Sequence, residues 1–370
     1  MNKTIHILSS TRADFGFFLP LIRKFEKDNI KYKLVVFGTH LSEKHGYTLN
    51  EIKKHKIEDI EIVDTYIDAS TPYQVNEAIV KVITEFNNYY YKLSSKTDIL
   101  LGLGDRFELF AAVAAAKTYN LKFIHLSGGE ETFGAIDNLY RHCLTIMGNL
   151  HFTNTKKNAE RVEQLINHKA NVCYSGSLTI DNILSTELYD FETFKKEFGL
   201  QLKKKFILTT FHPETVEFEK NLFFVNELLK AIDILDFDFV ITMPNADVGN
   251  FEVRQAIQEF AKNRKNIFLI ESFGSQGYYS ALKYCYCVLG NSSSGIVEAA
   301  SFAKYAVNIG KRQEGRERGD NVIDCELISV DIVEAVRSIS SRSVLKTENI
   351  YGSGNASDLI SKEILTFLNL

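Results

Sequence analysis

The sequence has 370 residues, enough for two domains, and its 45% apolar and 24% charged residues are ordinary for a globular protein. Its net charge of −4 offers no excess of positive charge for nucleic acid or an anionic membrane. The N-terminus leads directly into a strand-like run without a signal-peptide pattern, and the clearest apolar run, 109–116, is far shorter than the ~20 residues of a membrane span. These features predict a cytoplasmic protein, in which local positive groups would hold any polyanionic ligand.

The first half of the sequence alternates short β-rich runs with longer helix-like stretches. This alternation favours parallel βαβ units joined by right-handed crossovers. The predicted strands cover 5–8, 33–37, 98–103, 122–126 and 171–174, and the predicted helices cover 15–28, 73–93 and 107–119.

A second series of the same kind begins near Phe206. The two series predict an α/β protein with two Rossmann-like, doubly wound domains and a ligand cleft between them, facing the C-terminal ends of both sheets. We assign 1–178 to the first domain, 179–352 to the second, and 353–370 to a C-terminal helix that packs back on the first. The strands of the second series are predicted at 206–210, 237–242, 267–270, 286–289 and 305–309, and its helices at 222–235, 251–263, 279–283 and 296–303.

Polar segments directly follow several predicted strands. The first of them, 9–14, opens a helix whose free N–H groups and positive dipole end would attract an anion, and Arg12 adds a charge-assisted donor. The alternative is a capping box, with Thr11 as the cap and Asp14 three residues later. The two interpretations do not exclude each other.

Two further segments concentrate acidic side chains. In GLGDRFE, Asp105 ends a strand and precedes an Ala-rich helix, so it is either a helix cap completed by Glu108 or an acid–base group. In HLSGGEETFGAIDNLYRH, at 125–142, three acids, an arginine and two histidines surround glycines, a combination that folding alone explains poorly. His125, at a strand end, is the member most easily explained as a buried core histidine. The groups suited to chemistry in this run are Glu130, Glu131, Asp137 and Arg141.

Three segments of the second half also follow strands. His212, in the run FHPET, suits a phosphate or a proton in transit, and the run MPNAD at 243–247 would line a cleft. The strongest anion signal is LGNSSSG at 289–295, where a strand, a Ser/Gly turn and a helix start offer N–H and hydroxyl donors to a diphosphate, with Glu298 suited to ribose hydroxyls. The spacing matches neither a Walker loop nor GxGxxG, so NAD is not indicated. An ordinary Ser cap with a solvated Glu298 would also explain the segment 289–298, and a solvated surface loop would explain the charged run 311–318.

Together these segments resemble the UDP-N-acetylglucosamine 2-epimerase family, in its hydrolysing branch from sialic acid biosynthesis. The similarity runs in order through TRADFG, GDRFE, GGE…GAID…RH, FHPET, GNSSSGIVEA and IGKRQEGR, over nearly the whole chain. The resemblance implies a two-domain fold of the GT-B type with a UDP-linked sugar as ligand and the nucleotide on the second domain. It also implies no metal, no redox cofactor and a homodimer.

The chemistry that the resemblance implies begins with proton loss from carbon 2 and departure of UDP from carbon 1, which leaves a glycal. Water then adds to carbon 1 while carbon 2 is reprotonated on the opposite face, giving N-acetylmannosamine. Carboxylates would move the proton, and cations and N–H groups would stabilise the leaving diphosphate. By resemblance, the catalytic residues are Asp105, Asp137, Glu130 and His212. The implied substrate and nucleotide contacts are Arg12, Arg106, Arg141, His40, Asn245, Ser292, Ser293, Ser294, Gly295, Glu298 and Arg312.

Ser127 departs from the family, because many members carry Glu at this position. A hydroxyl does not replace a carboxylate base at neutral pH, so the acid–base work falls to Asp105, Asp137 and Glu130. The departure leaves the sugar open, and a UDP- or GDP-linked 2,4-diacetamido-2,4,6-trideoxy sugar of the legionaminic acid pathway is the alternative substrate. The sequence also leaves open a non-hydrolysing 2-epimerase, a GT-B glycosyltransferase and a non-catalytic nucleotide-sugar binder.

Overall fold

Two α/β units make up the chain. The computed structural model describes residues 3–43, 46–69, 71–93, 98–133, 136–214, 218–244, 250–346 and 348–368. Unit 1 comprises Met1–Glu130, Ile136–Asn182 and Tyr351–Leu370, and unit 2 comprises Glu131–Ala135 and Ile183–Ile350. The segment Glu131–Ala135 thus groups with unit 2, whereas the sequence-based boundary at 178 places it in the first domain.

Each unit is built on one parallel sheet. The strands of unit 1 are Ile5–Ser9 (β1), Tyr32–Val36 (β2), Ile60–Ile62 (β3), Ile99–Leu103 (β4), Lys122–Leu126 (β5), Leu150–Thr153 (β6) and Val172–Tyr174 (β7). The strands of unit 2 are Phe206–Thr210 (β8), Asp238–Thr242 (β9), Ile267–Ile270 (β10), Val288–Gly290 (β11), Ala306–Ile309 (β12) and Val322–Cys325 (β13).

Helices connect the strands as crossovers. From the N-terminus to the end of β7 they are Arg12–Lys27 (α1), Leu49–Lys54 (α2), Pro72–Lys92 (α3), Phe107–Lys117 (α4), Asp137–Met147 (α5) and Lys156–Ile166 (α6). The remaining helices are Leu178–Ser185 (α7), Phe191–Glu197 (α8), Asn221–Ile234 (α9), Asn250–Ala261 (α10), Gly274–Tyr284 (α11), Ser294–Val297 (α12), Ser329–Ser338 (α13) and Ala356–Leu368 (α14). Short 3₁₀ turns lie at Gly38–Leu41, Phe218–Lys220, Ala299–Phe302 and Ile339–Ser341.

The strand orders place a switch point in each sheet. Within the described residues the order is β3-β2-β1-β4-β5-β6-β7 in unit 1 and β10-β9-β8-β11-β12-β13 in unit 2. In both sheets the chain runs outward to one edge and then returns to the middle, so the first and fourth strands lie side by side. Ligands of doubly wound sheets bind outside the C-terminal ends of such strands, because the crossovers there diverge to opposite faces. The prediction of two Rossmann-like, doubly wound domains is confirmed.

The central strands are apolar on both sides because helices cover both faces of the sheet. In β4, Ile99 and Leu101 join an apolar cluster with side chains of α1 and α14, whereas Leu100 joins a second cluster with α3 and α4. This alternation follows from the two-residue period of a strand. Packing on both faces fixes the position of β4, and therefore of the residues that follow its C-terminal end.

The C-terminal helix α14 is part of unit 1. Its first turn is capped by Asp181, whose carboxylate accepts hydrogen bonds from the Ala356 and Ser357 N–H groups at 3.0 and 2.7 Å. Ile360 and Ile364 are buried in the same apolar cluster as α1. Burial of side chains of this size contributes about 1.5–3 kcal/mol each.

Some elements differ from the sequence-based prediction. The helix predicted at 296–303 is instead the single turn α12, followed by a 3₁₀ turn, and Glu298 is its C-terminal cap rather than a residue inside it. The strands β3, β6 and β13 were not predicted. The edge strands β3 and β13 are short and each carries a charged residue that interrupts the apolar pattern, and β6 is a run of four residues that includes a histidine.

Candidate active site

The loop after β1 forms the capping box that the sequence predicts. Thr11 Oγ1 accepts a hydrogen bond from the Asp14 N–H, and the Asp14 carboxylate accepts bonds from the Thr11 and Ser10 N–H groups. Burial raises the pKa of Asp14 above its usual value. Arg12 itself is exposed, and its Nε lies 3.0 Å from the equally exposed carboxylate of Glu51. An exposed ion pair is weak, so Arg12 is available to an anionic ligand.

Asp105 follows β4, beside the switch point, and the structure rules out its role as a helix cap. Helix α4 begins at Phe107, its N-cap is Arg106, and no side chain makes a cap hydrogen bond. Glu108 instead binds Arg106, whose Nε and Nη2 donate to its carboxylate at 3.1 and 2.8 Å. The capping alternative for Asp105 and Glu108 is therefore wrong.

Arg141 is the centre of a buried ionic cluster. Its side chain is only 4% exposed, and its two terminal nitrogens bind Asp105 and Glu130, the second at 3.1 Å. Glu130 uses its other oxygen to accept a hydrogen bond of 2.6 Å from Asn154. A charge this deeply buried must be paired, and here one guanidinium serves two carboxylates. The structure therefore places Arg141 as a group that holds carboxylates, not in the exposed position that a diphosphate contact requires.

Ser127 belongs to the same cluster. Its carbonyl oxygen accepts a hydrogen bond of 3.3 Å from Arg141, and its hydroxyl donates to Asn154 Oδ1 at 3.2 Å. Ser127 has a φ of +61°, a left-handed conformation that is uncommon for residues other than glycine. The cluster therefore constrains both the side chain and the backbone of Ser127.

Asp137 is the first residue of α5 and remains exposed. Among the described residues, no hydrogen bond holds its carboxylate. Partial desolvation and the neighbouring charge of Asp105 raise its pKa, and Arg106 and Arg141 oppose the shift. A carboxyl group with a raised pKa and free oxygens is suited to take up and release a proton.

Two of the buried histidines of unit 1, His40 and His125, are sequence-based candidates for the site. His40 is fully buried, with hydrogen bonds of 2.9 Å to Ser9 Oγ and 2.8 Å to Thr48 Oγ1, and burial lowers its pKa to about 4. It has no exposed atom for a ligand, which corrects its assignment as a substrate contact. His125 is buried between Gly104 and Thr145, and burial lowers its pKa to about 3. His125 is therefore a core histidine.

In unit 2, Asn291 joins the loops that follow β8, β11 and β12. Its side chain accepts a hydrogen bond of 2.7 Å from the His212 N–H and donates one of 2.8 Å to the His212 carbonyl. Its own carbonyl accepts bonds from Gln313 Nε2 at 3.0 Å and Arg312 Nη1 at 3.3 Å. Gly290 precedes it at a φ of +143°, and a Cβ there would overlap the Thr210 carbonyl oxygen, so the close approach of β11 to β8 requires glycine.

The loops that Asn291 connects bring together two side chains suited to an anion, His212 and Arg312. His212 is partly exposed, and its Nδ1 has no hydrogen-bond partner within the described ranges. Burial, and then the charge of Arg312, lower the His212 pKa to about 4, so the ring is neutral at pH 7. Arg312 is positioned through its N–H, which donates to Glu214 Oε1 at 3.2 Å. The switch point of unit 2 thus carries a cation and an imidazole suited to an anionic ligand.

The Ser/Gly turn after β11 is only partly accessible. Ser292 and Ser293 are half-buried, whereas Ser294 and Gly295 are buried, and the Ser294 hydroxyl accepts a bond of 2.7 Å from Tyr278. Ser292 and Ser293 are therefore the hydroxyls of this turn that a ligand can reach. Burial raises the pKa of the Glu298 carboxyl.

Several partners of these groups were not predicted from the sequence. They lie far from the groups they hold, and only the folded structure brings them together. These residues are Asn154, Tyr278, Asn291 and Gln313. Asn245, a predicted nucleotide contact, lies outside the described residues.

Sequence comparison decides the family. A family model described as UDP-N-acetylglucosamine 2-epimerase matches residues 23–365. The chain belongs to this family. It is 33% identical to the polysialic acid biosynthesis protein P7 of Escherichia coli, over 91% of this chain and 85% of that protein. It is 29% identical to the UDP-N,N'-diacetylbacillosamine 2-epimerase (hydrolyzing) of Legionella pneumophila, over 97% of this chain and 94% of that enzyme. The family assignment made from the motifs is confirmed.

Structural comparison agrees with this 2-epimerase family. The crystal structure of the Neisseria meningitidis UDP-GlcNAc 2-epimerase, bound to UDP-GlcNAc, matches with a TM-score of 0.81 and 19% identity, over 98% of this chain and all of that one. At this identity the match shows the fold, which is of the GT-B type as predicted. Among the described helices, none has both the length and the apolar character of a membrane span. No cluster of three or more histidine, cysteine or acidic residues suited to a metal occurs in the described ranges.

Proposed function

We propose that this protein of the 2-epimerase family hydrolyses UDP-N-acetylglucosamine and inverts carbon 2, releasing UDP and N-acetylmannosamine. The observation that carries the proposal is the group of three carboxyl groups, Asp105, Glu130 and Asp137, near the switch point of unit 1. Two of them are fixed by Arg141, and the third is unbonded among the described residues, with a raised pKa. Proton removal from a carbon acid and its return to the other face require such positioned carboxyl groups.

The reaction balances with water as the only co-reactant. A carboxylate takes the proton from carbon 2, the C–H electron pair forms the double bond to carbon 1, and the C1–O bond breaks with its electrons on the diphosphate. A carboxyl group then delivers a proton to carbon 2 on the opposite face, water adds its oxygen to carbon 1, and the proton that this water loses passes to the carboxylate just formed. Asp137 suits the proton transfer best, because its pKa is raised and no hydrogen bond holds its carboxylate among the described residues, whereas Asp105 and Glu130 are bound to Arg141.

Unit 2 supplies groups that suit the leaving diphosphate. Arg312, the neutral His212 and the accessible hydroxyls of Ser292 and Ser293 together offer a positive charge and hydrogen-bond donors. Preformed donors of this kind stabilise charge that develops on a leaving group. Arg12 and Arg106 are proposed as further contacts to the substrate.

The relatives support hydrolysis and suggest a second sugar. The name of the Legionella pneumophila relative specifies both the hydrolysing reaction and UDP-N,N'-diacetylbacillosamine. The same chemistry on a UDP- or GDP-linked 2,4-diacetamido-2,4,6-trideoxy sugar is therefore the second candidate function. A homodimer and a cytoplasmic location stay predictions.

Incubation of the protein with UDP-N-acetylglucosamine in deuterated water, followed by NMR, tests the reaction. We expect UDP and free N-acetylmannosamine with deuterium at carbon 2. Release of UDP with hydrogen retained at carbon 2 would refute the mechanism. A UDP-linked product without free UDP would identify a non-hydrolysing epimerase, acceptor-dependent transfer a glycosyltransferase, and binding without turnover a nucleotide-sugar binder.

The second candidate is separated by a comparison of donors. UDP-N-acetylglucosamine and the UDP- and GDP-linked diacetamido sugars are supplied side by side, and kcat/KM is measured by nucleotide release. A higher kcat/KM for a diacetamido donor would assign the enzyme to that sugar and leave the reaction type unchanged. Asp105→Asn serves as the control, because it should bind the preferred donor and release little nucleotide.

A further inference from the structure

A buried histidine contacts two of the segments that carry the candidate carboxyl groups of unit 1. His125 is the fourth residue of β5, and its side chain is fully buried. Its Nε2 lies 2.8 Å from the carbonyl oxygen of Gly104, the residue that precedes Asp105. Its Nδ1 lies 3.2 Å from the hydroxyl oxygen of Thr145, on α5. The ring therefore links the loop after β4 to helix α5.

The chemistry of these partners determines which nitrogen of the His125 ring carries the proton. A carbonyl oxygen only accepts hydrogen bonds, so Nε2 donates its proton to Gly104. Burial lowers the pKa of His125 to about 3, so the ring is neutral at pH 7 and has a single N–H group. Nδ1 is then an acceptor, and it receives the proton of the Thr145 hydroxyl. The two partners together fix the orientation of the ring.

The bond from His125 is the second of two that join the Gly104 main chain to β5. The Gly104 N–H donates to the Leu126 carbonyl at 3.0 Å. Gly104 has a φ of +82°, so it makes the left-handed turn that leads from β4 toward α4. Its carbonyl belongs to the same planar peptide unit as the Asp105 nitrogen. His125 therefore fixes the main chain from which Asp105 projects, and Arg141 binds the carboxylate at the other end.

The loop after β5 lies close to the same ring. A Cβ atom at Gly128 would lie 3.1 Å from His125 Nδ1 and 3.2 Å from Thr145 Oγ1, both closer than ordinary van der Waals contact. Glycine at this position therefore lets the backbone that leads to Glu130 approach the imidazole. His125 thus contacts the loop that carries Asp105 and lies against the loop that carries Glu130.

We propose that His125 is a positioning residue for the reaction, and that its Nε2–H bond to Gly104 holds Asp105 where the reaction requires it. This inference rests on the proposed function for the role of Asp105. His125 is fully buried, so it acts on the substrate only through the groups that it positions. A displacement of about 1 Å in a reacting group costs about 10²-fold in rate. Loss of the bond should therefore lower kcat, and KM should change little because the nucleotide contacts of unit 2 stay in place.

Three variants separate this hydrogen bond from the packing of the ring. His125→Leu removes both ring nitrogens and keeps an apolar side chain in the core, whereas His125→Gln keeps an amide N–H close to the position of Nε2. His151→Leu is the matched control. His151 is the register partner of His125 on β6 and is equally buried, and its ring packs against Gly148, at the C-terminal end of α5. For each variant, kcat and KM are measured with UDP-N-acetylglucosamine at a temperature at which circular dichroism shows the protein folded.

We expect His125→Leu to lose about 10²-fold in kcat at an almost unchanged KM. His125→Gln should recover at least about tenfold of this loss, and His151→Leu should keep the wild-type kcat. The proposal would be overturned by a wild-type kcat in His125→Leu, by a glutamine variant no better than the leucine variant, or by an equal loss in His151→Leu.

Failure of the proposed function gives a different result. If the wild type turns over no donor, crystal structures of the wild type and the three variants test the positioning directly. An Asp105 carboxylate displaced by about 1 Å in His125→Leu, with a rotated Gly104 peptide, would support the inference without the reaction. The carboxylate should stay in place in the other two variants. An undisplaced Asp105 in His125→Leu would overturn the inference.

Discussion

Replacement of Arg141 by glutamine tests whether the carboxylates of unit 1 depend on one buried cation. In Arg141→Gln, Glu130 loses a charge-assisted hydrogen bond and its counter-charge while its side chain is only 8% exposed. Breaking a buried pair costs about 3–5 kcal/mol. Asp105 is 26% exposed, so water compensates it better and its loss adds little. We expect unit 1 to lose about 3 kcal/mol of stability, near the lower limit of the range for buried pairs.

Amide hydrogen exchange measured by mass spectrometry locates this effect. At about 1.4 kcal/mol per tenfold, a loss of 3 kcal/mol makes peptides of β5 and β6 exchange roughly 150 times faster. Arg12→Gln is the matched control in the same unit, because its exposed ion pair contributes at most about 1 kcal/mol. Peptides of β8 and β9 in unit 2 provide a second reference.

The double variant Arg141→Gln/Glu130→Gln isolates the orphaned charge. Without the cation, Glu130 is a buried carboxylate that has lost its counter-charge, and this charge is the source of the stability deficit. The neutral glutamine in the double variant should therefore recover part of the loss. A deficit below about 1 kcal/mol in Arg141→Gln, or a double variant no more stable than the single one, would refute this account of the cluster.

Three further predictions concern the proton and the diphosphate. Asp137→Asn should lower kcat about 10²–10⁴-fold, and full activity of the variant would contradict its role in proton transfer. Because the pKa of Asp137 is raised, the acid limb of the wild-type profile of kcat/KM against pH should lie above the usual aspartate pKa of about 3.9. His212 has a pKa of about 4, and a bound diphosphate should raise it, so UDP binding near pH 5 should take up more protons in the wild type than in His212→Gln, as calorimetry in two buffers would show. Asn291→Leu leaves the His212 main chain without two partners, at about 1–3 kcal/mol each, and should weaken UDP binding at least about tenfold; an unchanged Kd would separate Asn291 from the site.

The central strands β1, β4, β5, β8, β9 and β11 were predictable because strands buried on both faces are nearly continuous apolar runs. The pattern of apolar and polar residues was less informative where the backbone hydrogen bonds, rather than the polarity of the side chains, determine whether a segment is an α-helix or a 3₁₀ turn. The run 296–303 is apolar enough for a helix, yet its backbone changes to a 3₁₀ turn after Val297 and ends at Ala303 in a left-handed conformation. The amino-acid composition of the segment does not indicate this change from an α-helix to a 3₁₀ turn.

The positions of the site groups were predictable to the extent that polar residues after strands collect at one edge of a parallel sheet. Their partners were not, because these are separated along the chain. Asn154 lies 24 residues from Glu130, and Asn291 lies 79 residues from His212. The burial of individual side chains was not predictable either. His40 follows a strand as the other site groups do, but its ring lies in the core.

The charge distribution in unit 1 supports the proposal that a site with Ser127 in place of a carboxylate moves a proton. A hydroxyl at this position adds no base, and Arg141 holds the carboxylates of Asp105 and Glu130 in place. The same fixed negative charge on Asp105 raises the pKa of Asp137, which no hydrogen bond stabilises among the described residues. Under the proposed function, the carboxylates held by Arg141 would therefore act on the reaction through the raised pKa of Asp137.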